Sequence, residues 1–483
     1  MEKWISGIFL LASGLTLFLG LWTRSLENHD YLRYAEVARE MIRSGEWIVP
    51  HLNGEIYIDK PPLTLWLIAL PSFLYGAVTP FLGRLPSALS AWMGIGVLFL
   101  WARRVYESTP AGLIAGGVLL STYQYFTQAR IAKTDMVLCL FILLSLYFFY
   151  LSDEGSPQRR FFYVGLSFFF MGLGVLAKGP FGFFLPMVIM VAFFVKDRRF
   201  HLLVSREFII GYLILAMTVL PWVFLFVHRV GLDQSLALVK GSRALSRHAP
   251  IYFYFIKIWA EFFPWSLLLP FLAFSLWKER ERVWNSRESF FILWFLVIFV
   301  LLTLFKFRAS RYLLPALPPL ALMIGGIWRK RRLTFLIPIL FFALIWHAVE
   351  AHWVRGDLLR SPGKMLTDEL RPFLKEAALF GFRLDVGTVE EINFYFDRVI
   401  PLMKKVENLS IPTGEKRLIL MPKKAYEALR AQGDLSILFV RGFRYKGGEL
   451  VLVSPKPLNL SALSDSAPEG SRQSSLEKNG GVV

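Results

Sequence analysis

The sequence predicts an all-α polytopic membrane domain of about eleven spanning helices, followed by a small C-terminal α/β domain on the outer face. Three observations carry that prediction. Apolar residues make up 55% of the 483 residues and gather in runs near the length a bilayer core requires. The clusters rich in Lys and Arg fall between those runs instead of forming a stripe along one element. Beyond residue 357 the long apolar runs stop, and short β-like runs alternate with helical ones.

Lipid offers backbone N–H and C=O groups no hydrogen-bond partner, so the apolar runs are expected to be helices. They fall near 5–22, 83–101, 110–126, 134–151, 161–177, 181–195, 208–228, 252–276, 289–305, 312–327 and 333–349. The first begins with a charge at Lys3 and has no small-residue cleavage site after it, so it reads as an uncleaved span. The run 63–78 reads as re-entrant or interfacial. Counting it as a span would invert everything after it and put the basic clusters outside.

With the N-terminus inside, the inner loops carry Arg103-Arg104, Arg159-Arg160, Lys196 to Arg199, Lys278 to Arg287 and Arg329 to Arg332. Every loop dense in Lys and Arg then lies on one side, as the positive-inside rule requires. The chain is thus expected in the inner (plasma) membrane, with its C-terminal domain on the periplasmic or extracellular side. The expected organisation is a membrane domain over 1–356, an α/β domain over 357–456 and a disordered tail over 457–483, rich in Ser, Gly and charge. The outer first loop, 23–82, includes an amphipathic stretch. Tyr34, Val37, Ala38, Met41 and Ile42 share one helical face, with Arg33, Glu36, Glu40 and Arg43 elsewhere. Such a helix is expected to lie flat on the membrane surface.

The net charge of +18 sits in short interhelical clusters, which argues against a nucleic-acid partner. The single cysteine, Cys139, excludes an intrachain disulfide and a Cys-based metal cluster. Walker and Rossmann glycine patterns do not occur, so no nucleotide cofactor is expected.

The chemistry-capable residues gather on the outer side. Asp30 either caps the surface helix or acts chemically with Arg33, three residues on, to activate a hydroxyl and hold a phosphate. Lys60, in Asp59-Lys60-Pro61-Pro62, is biased toward extended backbone by Pro61; it either snorkels to headgroups or binds a phosphate. Asp135 opens an otherwise apolar helix. A carboxylate in a span costs about 2.5–3.5 kcal/mol at its centre and less near the end, so it is expected to face a polar cavity unless it caps the helix. Lys178-Gly179-Pro180 places a lysine at an outer turn, against the positive-inside trend. Arg308 and Arg311 bracket another outer turn, where they either anchor headgroups or grip a phosphate. His248 with Asp59 supplies two ligands for one divalent metal such as zinc; two are too few to define a site.

The run Asp30-Tyr31-Leu32-Arg33-Tyr34-Ala35-Glu36-Val37-Ala38-Arg39-Glu40-Met41 resembles the first-loop signature of the ArnT-like glycosyltransferases, within the protein O-mannosyltransferase-related superfamily of GT-C fold. The resemblance continues through Ser44 to Trp47, Leu52-Asn53-Gly54, Tyr57, Lys60 to Leu63, Arg84 to Ser87, Thr134-Asp135-Met136 and Leu176 to Pro180. It extends through His248 with Pro250, Phe263 to Ser266 and Leu314 to Pro319, covering roughly residues 1–330. Phe394 to Pro401 is similar, more weakly, to the family's outer domain.

The resemblance implies sugar transfer from a polyprenyl-phosphate donor to a glycolipid (lipid A-like) or protein acceptor at the outer face. It implies that Asp30 is the catalytic aspartate, Arg33 its basic partner and Lys60 the lysine that contacts lipid phosphate. It implies further functional roles for Asp135 and Lys178. Asp59 and His248 match the pair that can hold a metal in ArnT, where the acid is usually glutamate. One position departs: the family usually has an acid directly after the catalytic aspartate, and here it is Tyr31. A lipid or polysaccharide transporter or flippase is the alternative class. Transporters place ionisable residues near the midplane in paired repeats, and this chain gathers them at one mouth.

Overall fold

The protein is represented by a computed structural model that describes residues 2–22, 26, 29–154, 156–241, 249–306, 308–328, 345, 362–374, 377–403, 417–431, 438–446 and 448–454. It divides into two compact units, Met1–Arg24 with Arg33–Asp357, and Ser25–Leu32 with Leu358–Val483.

The helices up to residue 328 are α1 (Glu2–Phe18), α2 (His29–Ser44), α3 (Leu63–Tyr75), α4 (Pro80–Tyr106), α5 (Thr109–Ser121), α6 (Tyr123–Ala129), α7 (Thr134–Ser152) and α8 (Pro157–Lys178). They continue as α9 (Phe181–Lys196), α10 (Arg206–Val230), α11 (Leu232–Gly241), α12 (Phe253–Glu261), α13 (Leu269–Lys278), α14 (Arg280–Trp284), α15 (Ser289–Leu304) and α16 (Leu317–Trp328). A small antiparallel hairpin, β1 (His51–Leu52) with β2 (Glu55–Ile56), lies between α2 and α3.

The helices pack around one apolar core. Trp101 of α4 is fully buried, ringed by Tyr147, Tyr150, Phe290, Phe291 and Trp294 at centroid separations of 5.2 to 6.2 Å. The α7–α8 contact is held mid-length by Ser167 Oγ, which donates to the Ser145 carbonyl at 2.9 Å. At the end that carries the basic loops, Asp153 takes Arg199 at 2.7 Å, and Glu154 takes Arg287 at 2.6 Å and Arg104 at 2.8 Å. Those arginines thus tie four segments together just beyond the apolar region.

Among the described residues four helices are long and apolar enough to cross a bilayer alone: α4, α7, α8 and α10. The pair α12 and α13 makes a fifth if a bent pair is one span. Shorter apolar helices are α1, α3, α5, α9 and α15. The chain is therefore a mostly helical, multi-pass membrane protein.

Three expected elements take a different form. The run 110–126 breaks at Thr122, whose backbone is extended (φ −69°, ψ 128°), into α5 and α6. The Thr122 hydroxyl donates to the Val118 carbonyl at 2.7 Å and helps satisfy the helix end so created. The run 252–276 bends by 113° between α12 and α13, where Phe263-Pro264 interrupts the helix. The run 312–327 starts as a 3-10 turn, Ser310–Ala316, before α16 begins. The span expected at 333–349 lies outside the described residues except for Ile345.

The surface helix also differs. The apolar face of α2 packs against α3: Tyr34, Val37, Ala38 and Met41 form a cluster with Tyr57, Leu65, Ile68 and Ala69. Three polar positions are buried too, with Glu36 at 0%, Arg39 at 5% and Glu40 at 7% exposure, while Arg43 stays exposed. Glu36 and Arg39 satisfy each other, Arg39 Nε lying 2.8 Å from the carboxylate. An amphipathic pattern reports which face is apolar; here protein covers that face where a membrane surface was expected.

The second unit contains a five-stranded sheet of β3 (Ala378–Phe382), β4 (Leu402–Met403), β5 (Arg417–Pro422), β6 (Leu438–Tyr445) and β7 (Gly448–Ser454), in the order β4-β3-β5-β7-β6. β3 pairs in parallel with β4 and β5, and β7 pairs antiparallel with β5 and β6. Alternation along β5 sends Leu418 and Leu420 into one core and Ile419 and Met421 into the other. Helices Pro362–Leu370, Val386–Phe396 and Lys423–Ala431 accompany the sheet. Within this unit the Tyr395 phenol donates to the Leu26 carbonyl at 3.1 Å.

Candidate active site

The site begins in the segment between α2 and α3. Arg33 on α2 reaches the turn before α3, with its guanidinium 3.5 Å from the Asp59 carboxylate and a hydrogen bond to the Tyr57 phenol. Tyr57 is buried, and that burial holds its phenol well above the usual range. Lys60 follows. Its ammonium donates to the Asp59 carbonyl at 2.7 Å. Burial pulls Lys60 below the ordinary lysine range; Asp59 opposes that shift, Lys178 reinforces it and Asp135 opposes it. Those influences place Lys60 within electrostatic reach of the next two residues.

Asp135 lies in the first turn of α7, where a carboxylate complements the helix dipole. It does not cap the helix: the N-cap is Lys133, without a side-chain cap bond. The carboxylate, 6% exposed, pairs with the Lys178 ammonium, and Arg311 Nε stands 3.8 Å from it. Lys178 is the last residue of α8. Gly179 follows at φ +84°, a conformation that favours glycine, and turns the chain into α9. Lys178 and Arg311 both lie over the Tyr312 ring, at 5.1 and 5.4 Å.

The structure therefore brings Arg33, Asp59, Lys60, Asp135, Lys178 and Arg311 to one place. Arg308 is directed elsewhere: it donates to the backbone carbonyls of Ala249 and, at 2.8 Å, Thr303. Asp30 falls in the first turn of α2, but its side chain lies outside the described residues, as does His248. Asp59 is engaged with Arg33, and no group of three or more His, Cys, Asp or Glu able to hold a metal occurs among the described residues. Sequence reasoning did not assign Tyr312 or Glu40 to the site. Tyr312 had no signal beyond lying next to Arg311, and Glu40 looked like one more polar position on an amphipathic helix.

A crystal structure of ArnT from Cupriavidus metallidurans in the apo state aligns over 97% of this chain and 99% of that one, with a TM-score of 0.79 and 19% identity. The chain has the ArnT-like GT-C fold. The same bacterial protein bound to undecaprenyl phosphate aligns with a TM-score of 0.78, also at 19% identity, over 96% of this chain and 99% of that one. A family profile described as dolichyl-phosphate-mannose-protein mannosyltransferase matches residues 59–224, which begin at Asp59 and include Lys60, Asp135 and Lys178. The undecaprenyl phosphate-alpha-4-amino-4-deoxy-L-arabinose arabinosyl transferase 1 of Pseudomonas fluorescens (strain Pf0-1) is 28% identical over 339 residues. That match covers 67% of this chain and 58% of the relative. The chain spans 56% to 60% of the length of the curated relatives it matches.

Proposed function

We propose that the chain is a membrane glycosyltransferase that moves a sugar from a polyprenyl-phosphate donor to a lipid A-like glycolipid, or another acceptor, on the outer face of the inner membrane. The observation that carries this reading is the cluster of Arg33, Lys60, Lys178 and Arg311 around Asp59 and Asp135. These six side chains have an excess of positive charge beside apolar helices, which suits a phosphate head on a long apolar chain. The name of the Pseudomonas relative and the undecaprenyl phosphate bound to the Cupriavidus protein support the same donor class.

In this reading the bond between the sugar's anomeric carbon and the lipid phosphate breaks as the acceptor oxygen attacks that carbon. Negative charge develops on the departing phosphate. Lys60 and Arg33 stabilise it, and removal of one such group costs about 10²–10³ in turnover. Asp135 holds Lys178 and Arg311 over Tyr312, so two further cations are already oriented when the phosphate arrives. Asp30 orients the acceptor hydroxyl or takes its proton. Asp59 and His248 are the candidate pair for a divalent metal.

The experiment is mass spectrometry of membrane glycolipids from cells with and without this gene product. A sugar-bearing glycolipid that disappears with the gene supports the reading. An unchanged glycolipid profile, with no sugar-bearing acceptor lost from the envelope, contradicts it.

A further inference from the structure

Glu40 is buried on α2, and both oxygens of its carboxylate accept backbone hydrogen bonds. One oxygen accepts the Asn53 amide at 2.6 Å and the other accepts the Gly54 amide at 3.1 Å. Asn53 and Gly54 form the turn of the β1–β2 hairpin, both at positive φ (55° and 78°), so their N–H groups converge on one anion. Glu40 stands seven residues after Arg33, two turns along one face of α2. Arg33 meets the far end of the same segment at Tyr57 and Asp59. Between these contacts the hairpin register pairs His51 with Ile56, and the Tyr57 amide donates to the Pro50 carbonyl at 2.8 Å. Lys60 leaves this fastened segment at once, with Pro61 and Pro62 stiffening the exit. The Thr64 hydroxyl then meets the Ala177 carbonyl, next to Lys178, at 3.5 Å.

We infer that Glu40 is a positioning residue: by fastening the hairpin tip to α2, it fixes where Lys60 stands relative to Lys178 and Asp135. The role assigned to Lys60 rests on the proposed function; the placement of Lys60 does not. An ammonium on a flexible stem is useful to a phosphate only if the backbone that carries it is fixed, and this backbone has only short elements of its own.

The test has two arms. In the first, the purified full chain in detergent is treated with an amine-reactive reagent, and the labelling rates of Lys60 and of the exposed Lys424 are followed by mass spectrometry. Glu40→Gln keeps one acceptor oxygen and loses the other, and should raise the Lys60 rate several-fold while Lys424 stays unchanged. Gly54→Ala strains the same turn without removing a charge or meeting a neighbouring atom, and is the second variant if Glu40→Gln does not fold. An unchanged Lys60 rate in the folded variant overturns the inference. In the second arm, sugar transfer is compared in Lys60 and Lys60→Ala backgrounds. A rise in donor KM that appears only where Lys60 is present supports positioning through Lys60, and an equal loss in both backgrounds overturns it. A wild-type chain that transfers no sugar counts against the proposed function, while the labelling arm still decides the role of Glu40.

Discussion

Asp135 and Lys178 form a buried ion pair across two helix ends, the first turn of α7 and the last residue of α8. Both helices are long and apolar enough to cross a membrane, so the pair closes the mouth of a span instead of decorating a surface. The side chains are 6% and 12% exposed, so both charges are largely withdrawn from water. Removing one partner of a buried pair typically costs about 3–5 kcal/mol when the other is left unpaired, and Arg311, 3.8 Å from Asp135, offsets part of that loss when Lys178 is removed. Lys178→Met should therefore lower the thermal midpoint in detergent, Asp135→Leu should lower it more, and Asp135→Leu with Lys178→Met should recover much of the loss. A double variant no more stable than either single one would show that the two residues do not act as a pair.

Lys60 predicts a pH dependence. Its folded-state pKa lies below 10.5 because burial disfavours the cation. For stability, that penalty is full below the lowered value, fades as pH rises through it, and is gone above 10.5, where the unfolded lysine is neutral too. For phosphate binding the sign reverses: the cation binds, so affinity is full below the lowered pKa and is lost as pH rises through it. Donor KM should accordingly rise in wild type at a pH below 10.5. In Lys60→Arg, whose guanidinium stays charged to about pH 12 or beyond, KM should stay flat across the same range. Identical pH profiles for the two would remove Lys60 from donor binding.

Much of this site was legible in the sequence, for a physical reason. Asp135 stood out because a carboxylate at the mouth of an apolar run is expected to face polar surroundings, and Lys178 because it runs against the positive-inside trend; the structure pairs the two. Arg311 joined them because topology put it on the same face. What the sequence did not reveal was the use made of polar groups within protein. Glu36, Arg39 and Glu40 have the spacing of a solvated face, yet they are buried, because hydrophobic periodicity does not say which element will cover a helix. The break at Thr122 was hidden for a related reason, since the residues on both sides of it are apolar enough for an unbroken span. Arg308 has the same chemistry and loop as Arg311, and only the fold decides that one meets backbone carbonyls and the other a carboxylate.

Sidedness is checked with introduced cysteines. The native thiol, Cys139, is buried and gives little background. Glu55 and Ser156 are both exposed. With the active site outside, an impermeant thiol reagent applied to intact cells stripped of their outer barrier should label Glu55→Cys and spare Ser156→Cys. The opposite pattern would invert the topology and move the cluster to the inner face.

The turn between α8 and α9, which follows Lys178, is tightly packed. Gly174 and Gly182 approach so closely that a Cβ on Gly182 would lie 2.1 Å from the Gly174 carbonyl carbon and 2.2 Å from the Val175 amide nitrogen. Both are backbone atoms and cannot rotate away. Gly182→Ala should force α9 from α8 and destabilise the chain by about 1–3 kcal/mol, the range for overpacking a tight contact. The check is thermal unfolding in detergent, with Gly7→Ala as the control, because nothing lies within 4 Å of a Cβ there.

The central claim is sugar transfer from a polyprenyl-phosphate donor, with Asp30 acting on the acceptor. It is tested most directly by incubating purified wild-type chain and Asp30→Asn with a polyprenyl-phosphate donor bearing a labelled sugar and a lipid A-like acceptor, and measuring label in the acceptor. Asn keeps the size of Asp, so the variant should fold. The account predicts transfer by wild type and a rate lower by about 10²–10⁴ in Asp30→Asn, the usual contribution of a positioned acid or base. Near-normal transfer by Asp30→Asn, or none by the folded wild-type chain, would contradict it.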